Sequence, residues 1–224
     1  MKKKKIAALG LVFLSVCMAG LIENFNKVKS AQSVDEMAFF EQWGAVLKDD
    51  SNDIKTEPYA LPNPEETTII VPKSEVDQAI EFYKLQDITD SEAKVKAEEY
   101  AKKRNALYHE AVLNGFDVTD SELNDFLENQ KQFLAKAENS AQANAMIDGF
   151  GDEDAYWEYE WYVYKKNLPI MKYREFLQEQ YYQGNNISAD EKMEGDTLIL
   201  GGNFDDYYEE YQQSLLNKYT FEIQ

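Results

Sequence analysis

The chain has 224 residues, 44% of them apolar and 13% aromatic, which is enough for one hydrophobic core with accessory segments and too apolar for a disordered polymer. Lys and Arg number 23 against 42 Asp and Glu, a formal charge of −19, and so acidic a chain repels phosphate backbones, which argues against nucleic acid as a partner. One cysteine, Cys17, leaves no disulfide framework to build.

Four lysines, Lys2 to Lys5, precede an apolar run from Ile6 to Ile22. This is the pattern of an export signal, and its length of about 17 residues lies between an ordinary signal core and a short membrane span. Residues 1–22 are therefore expected to be a signal peptide or membrane anchor, placing the remainder outside the cytoplasm. Cys17-Met18-Ala19 offers cleavage after Ala19, and Leu14-Ser15-Val16-Cys17 approaches a lipidation motif at Cys17, with valine where glycine or alanine is usual. Lys27 and Lys29 suit an uncleaved anchor. All three fates stay open. Loss of the segment with its four lysines takes the charge to about −23, and an exported part without disulfides suits a Gram-positive-type cell envelope.

Ser33-Val34-Asp35-Glu36 matches a capping box, and Met37, Phe40, Trp43, Val46 and Leu47 follow at helical spacing, so a short amphipathic helix is expected over 34–48. From 49 to 66, polar residues with Pro58, Pro62 and Pro64 have no period and predict a tether. Residues 23–66 are thus expected to stand before the folded domain, 67–224. Thr67 to Val71 is β-branched throughout and predicts a strand, with Tyr219 to Ile223 its best partner and Thr197 to Leu200 a second candidate.

Between the strands the pattern is helical. Val76, Ile80 and Tyr83 mark a helix over about 73–86. Thr89-Asp90-Ser91-Glu92 is a second capping box, and the helix it opens stops at Asn114-Gly115. Thr119-Asp120-Ser121-Glu122 is a third, opening a helix with Leu123, Phe126, Leu127, Leu134 and Ala137. A weaker helix over 141–147 is expected to end at Gly149. Gly151-Asp152-Glu153-Asp154 then starts a long one over 153–183, with acids at its positive end. Trp157, Trp161, Tyr164, Leu168 and Met171 form one apolar stripe on it, and Tyr156, Val163, Ile170, Tyr173 and Leu177 a second. Pro169 predicts a kink near Asn167 or Leu168. Residues 185–203 form an acid- and glycine-containing connector, and 204–217 a last amphipathic helix.

The order of these motifs resembles the SurA-like N-terminal chaperone domain that accompanies parvulin-type prolyl isomerases, including the PrsA-like lipoproteins of Gram-positive bacteria. The residues that carry the resemblance are Leu107 to Ala111 leading to Asn114-Gly115-Phe116, Val118 to Leu123, Gly149 to Trp157, and Tyr173 to Leu177. It covers 67–183 well and 204–223 weakly. The resemblance implies a mainly helical domain with a two- or three-stranded sheet joining N- and C-terminal segments. In that family an isomerase is inserted before the last helix and strand. Here only the connector 185–203 fills that place, whereas a compact domain needs at least about 50 residues. The single histidine, His109, lies in a helix far from the gap, so the resemblance implies the chaperone part without the catalytic one. The usual Val-Asn-Gly turn after the first strand is replaced by Ile70-Val71-Pro72-Lys73-Ser74.

No phosphate loop, nucleophile elbow, calcium loop or Cys–His couple is present, so no enzyme, no cofactor and no metal are expected. His109 fits a surface or half-buried position better than a base or ligand. The functional reach lies in the 15 tyrosines, concentrated in 156–182 and 207–219, since tyrosine gives large contact area at low entropic cost. Most are expected in the core. Tyr156, Trp157, Trp161, Tyr164, Phe126, Phe133 and Tyr208 are the candidate peptide-binding residues, on a concave face whose acidic rim favours basic or neutral clients. The expected function is an exported, membrane-associated chaperone-like protein that binds unfolded or partly folded polypeptides without isomerising prolines. The alternative is a structural or regulatory module that binds one envelope partner, using helix 34–48 as an arm.

Overall fold

The structure is a computed structural model and describes residues 36–56, 62–137, 139–184, 193–194, 197–198 and 202–224. The export segment 1–22 with Cys17, the start of the first capping box at Ser33, and most of the tether and connector lie outside the described residues. Seven helices and four short strands are described: α1 (Glu36–Thr56), β1 (Thr68–Val71), α2 (Lys73–Lys84), α3 (Asp90–Leu113), α4 (Asp120–Leu134), α5 (Ser140–Phe150), α6 (Glu153–Gly184), β2 (Met193–Glu194), β3 (Thr197–Leu198), α7 (Gly202–Lys218) and β4 (Thr220–Ile223). The fold is mainly α, with a small parallel sheet.

That sheet pairs β1 with β4, placing Ile69 opposite Phe221 and Val71 opposite Ile223. The far end of the chain is therefore the partner that the β-branched run at 67–71 needed. Thr197 and Leu198 pair instead with Met193 and Glu194, antiparallel, within the connector region.

The helix starts follow local chemistry. At α4 the capping box is complete: the Thr119 hydroxyl accepts from the Glu122 N–H and the Glu122 carboxylate accepts from the Thr119 N–H. At α3 the box is half made, with the Thr89 hydroxyl accepting from the Glu92 N–H at 3.4 Å and donating to the Glu92 carboxylate at 2.7 Å. Helix α6 runs through Pro169 without a break.

Three expectations need correction. The first helix continues to Thr56, eight residues into the segment expected to be a tether, and Ile54 packs against the core there. Nor does it stand before the folded domain. Trp43 and Leu47 are fully buried in the main cluster with Phe82, Tyr156 and Tyr164, so α1 belongs to the core rather than to a detachable arm. Finally, α5 does not stop at Gly149. It stops at Gly151, whose φ of 84° is the left-handed conformation, while Gly149 lies inside the helix for a different reason.

That reason is the crossing of α1 and α5. A Cβ at Gly149 would lie 1.9 Å from the Glu41 carbonyl oxygen, and one at Gly44 would lie 2.0 Å from the Met146 carbonyl oxygen. The two backbones touch, and only hydrogen fits on either side.

Across the bundle, Glu75 of α2 is buried among charges and polar groups from two other helices. Arg104 of α3 approaches it at 2.9 Å, the Lys166 ammonium of α6 donates to it, and Asn105 donates to it at 2.7 Å. Lys166 also donates to Asn105 Oδ1, and Arg104 donates through two nitrogens to Asn167 Oδ1. Burial alone would raise the Glu75 pKa, but Arg104, Lys166 and the hydrogen bonds outweigh it and hold it at about 2.

Because the folded value lies below the ordinary 4.5, this carboxylate contributes stability that is fully present above about pH 4.5 and is lost as pH falls toward 2. Urea midpoints measured across that window should fall for the wild-type chain and fall less for Glu75→Gln. Glu75→Ala, which removes the carboxylate that Arg104 and Lys166 share, should cost about 3–5 kcal/mol at neutral pH.

At the α1–α5 crossing, Gly149→Ala should lower stability by about 2–3 kcal/mol in urea denaturation, since rigid backbone rather than a side chain meets the new methyl. Gly184→Ala, with nothing within 4 Å of its added Cβ, should be neutral within about 0.5 kcal/mol.

Candidate functional site

The seven aromatic residues expected to form a binding face divide by burial. Tyr156, Trp157 and Tyr164 are core residues, 0%, 5% and 0% exposed, and no client can reach them. Tyr156 lies edge-on to Phe150 and Trp157, and Tyr164 packs on Phe126 at 4.9 Å between ring centres. Phe126 and Trp161 are half-buried; the Trp161 indole N–H donates to Asn124 and the Lys165 ammonium lies over its ring. Only Phe133, near the end of α4, is freely exposed, at 54%. Tyr208 belongs to a different place, the start of α7. The expected concave face is therefore not assembled. Stripe periodicity identified these residues correctly as apolar, but α6 has neighbours along its length: α1, α3, α4 and α5 pack on it, and α7 meets its second half through aromatic contacts.

Tyr208 instead joins an aromatic cluster where the second half of α6 meets the first half of α7. Phe204 stacks on Tyr208 and contacts Tyr181, Tyr182 and Tyr207. The Arg174 guanidinium sits over both Phe204 and Tyr208 and pairs with Asp205 at 3.0 Å. Tyr173 and Tyr211 share a hydrogen bond of 2.8 Å. Burial pushes the Tyr208, Tyr173 and Tyr211 hydroxyls up, so all three stay protonated at neutral pH. This cluster joins two helices, with its outer edge at Phe176 and Tyr207.

His109, expected at the surface or half-buried, is only 6% exposed. Its ring lies 4.9 Å from that of Tyr219, and its Nε2 has no partner among the described residues. Burial lowers its pKa, outweighing Glu110, so the ring is neutral. Glu110 beside it accepts from the Tyr219 hydroxyl at 2.5 Å and from the Lys218 ammonium, fastening the start of β4 to α3.

An open cleft lies elsewhere among the described residues. A cleft of about 550 Å³ lies between α3, α7 and β4, lined by Val95, Glu98, Glu99, Lys102, Gln213, Leu216 and Phe221. Val95 is 65% exposed, the most exposed of the large apolar side chains described. Leu216 and Phe221 give the apolar wall opposite it. The rim is polar and internally paired: Lys102 with Glu98 at 3.6 Å, and Lys103 between Glu99 at 2.8 Å and Glu209 at 2.6 Å. Gln213 donates to both Glu99 and Glu209. The bond from Lys103 lowers the Glu99 pKa, and for Lys103 the two carboxylates outweigh burial and raise it, so both stay charged. Sequence reasoning missed this cleft. The one signal was Val95, an apolar residue among Lys94, Lys96 and the acids Glu98 and Glu99 on a helix face that otherwise belongs in water.

Such an arrangement can hold an apolar side chain beneath a charged rim. It presents no nucleophile with a base, and no cluster of three His, Cys, Asp or Glu able to hold a metal ion is found among the described residues. Among those residues no helix is long and apolar enough to cross a membrane. The chain matches no family model, no curated protein and no solved structure.

The burial difference predicts a clear split. Tyr164→Ala should cost about 3–5 kcal/mol in urea denaturation, whereas Phe133→Ser should change stability by no more than about 0.5 kcal/mol.

Proposed function

We propose that the chain is an exported, membrane-associated, chaperone-like protein that binds unfolded or partly folded polypeptides and does not isomerise prolines. The observation that carries this reading is the cleft between α3, α7 and β4, where Val95, Leu216 and Phe221 are open to solvent or half-open under a charged rim. An open cleft of this kind, with three apolar residues beneath a polar rim, suits apolar side chains held at modest strength, and its open form accommodates many sequences rather than one. The motif order of residues 107–177 supports the same role through its resemblance to SurA-like chaperone domains. The acidity of the chain keeps a complex with apolar segments soluble and favours basic clients. The lysine-led apolar run at 2–22 supports export and membrane association.

A module that recognises one partner through the first helix has less support, because Trp43 and Leu47 commit α1 to the core.

The chain should suppress the light scattering of reduced, unfolding lysozyme at physiological salt in proportion to its concentration. No suppression at stoichiometric excess would overturn the reading. Val95→Asp, at a position where the exposed side chain does no core packing, should leave stability unchanged and raise the concentration needed by about threefold or more.

A further inference from the structure

The strand β4 has one side paired and one side open. The Thr220 N–H donates to the Thr67 carbonyl at 2.9 Å and the Gln224 N–H to the Val71 carbonyl at 3.1 Å. In a strand the N–H and C=O groups alternate in direction, so residues 220, 222 and 224 face β1 while Phe221 and Ile223 turn their backbone groups away from it. No backbone or side-chain partner meets those groups among the described residues, and β4 is the edge of a two-stranded sheet. An exposed edge of this kind is a template for one more strand. Ile223 is 38% exposed, and the Phe221 side chain lines the cleft described above.

The edge of β1 is less suited. Pro72 follows it without an N–H to donate, so an added strand would lose its bonds there.

We propose that an extended, basic segment of an unfolded polypeptide adds to the free edge of β4 as a third strand, with alternate side chains lying over the cleft between Val95, Leu216 and Phe221. The inference rests on the holding role proposed above and names the form in which the client is held. Two features select this occupant. Backbone groups of Phe221 and Ile223 are satisfied in this geometry by another extended backbone, whatever its side chains, which suits a protein without sequence preference. Charge selects the side chains: the rim sets Glu98, Glu99 and the neighbouring Glu209 against Lys102 and Lys103, a net acid excess, Glu222 stands exposed on β4 itself, and the whole chain bears −19. A basic segment is drawn to that field. A second copy of this chain is repelled by it, and pairing two β4 strands antiparallel would bring one Glu222 toward the other.

The probe is a short, fluorescein-labelled peptide of alternating lysine and valine, titrated into the full chain and into Ile223→Pro. This substitution removes one outward N–H and leaves every bond to β1 in place. Ile223→Ala controls for the lost side chain, and thermal melts confirm that each variant is folded. The expected result is binding by the wild-type chain, nearly unchanged in Ile223→Ala and weakened roughly tenfold in Ile223→Pro. Amide exchange at Phe221 and Ile223 should slow when the peptide is bound. Equal affinity in Ile223→Pro with both amides unprotected overturns strand addition, while aggregation suppression by the same samples keeps the holding role. A wild-type chain that suppresses aggregation but ignores the peptide also overturns it, and one that does neither overturns both readings.

Discussion

One carboxylate holds the centre of this molecule to a single arrangement. Glu75 is the point where α2, α3 and α6 meet, and its charge is balanced by Arg104 and Lys166 from two different helices. Three ionised groups out of water are tolerable only when each has its partners in good geometry. Asn105 and Asn167 supply the remaining hydrogen bonds, which means that a slip of one turn along any of the three helices strands a charge. Apolar packing around it would accept such a slip far more readily, since leucine and phenylalanine have no required direction. The network therefore specifies register, and the aromatic packing of α6 inherits that register.

The surface follows another logic. Most carboxylates lie in water, and those that matter are arranged in bridges between elements. Lys103 between Glu99 and Glu209 joins α3 to α7, Arg174 with Asp205 joins α6 to α7, and Lys218 with Tyr219 and Glu110 ties the approach to β4 down onto α3. The last helix is thus fixed at its start, middle and end. These contacts set the position of α7, and with it the wall of the cleft.

Much of the fold was legible in the sequence because it is written in local chemistry. Thr119 and Glu122 mark a helix start by their own hydrogen bonds, and the β-branched run at 67–71 had its best partner in the alternating run at 219–223. What depends on distant residues was not legible. Glu75, Arg104 and Lys166 look like ordinary surface charges until the helices assemble. Gly149 carries the same letter as a helix stop, yet it serves a backbone contact with Glu41 on an element a hundred residues earlier. The candidate site suffered most. Tyr156, Trp157 and Tyr164 announce apolar faces, and periodicity cannot say whether such a face meets another helix or water. The cleft is built from one residue each of types that are common on any helix surface, and only their convergence gives it meaning.

The parallel ribbon also imposes an order on how the molecule comes into being. Thr68 cannot find Thr220 until everything between them has been made. For a chain that emerges N-terminus first, β1 waits with its carbonyls and amides bare while the six described helices α2 to α7 collapse behind it, and the second small cluster of buried residues, around Ile69, Leu107, Leu215 and Tyr219, stays unformed. Closing such a long loop is slow relative to forming a helix. Until that closure the young chain exposes on β1 the same kind of bare edge that the folded one retains on β4.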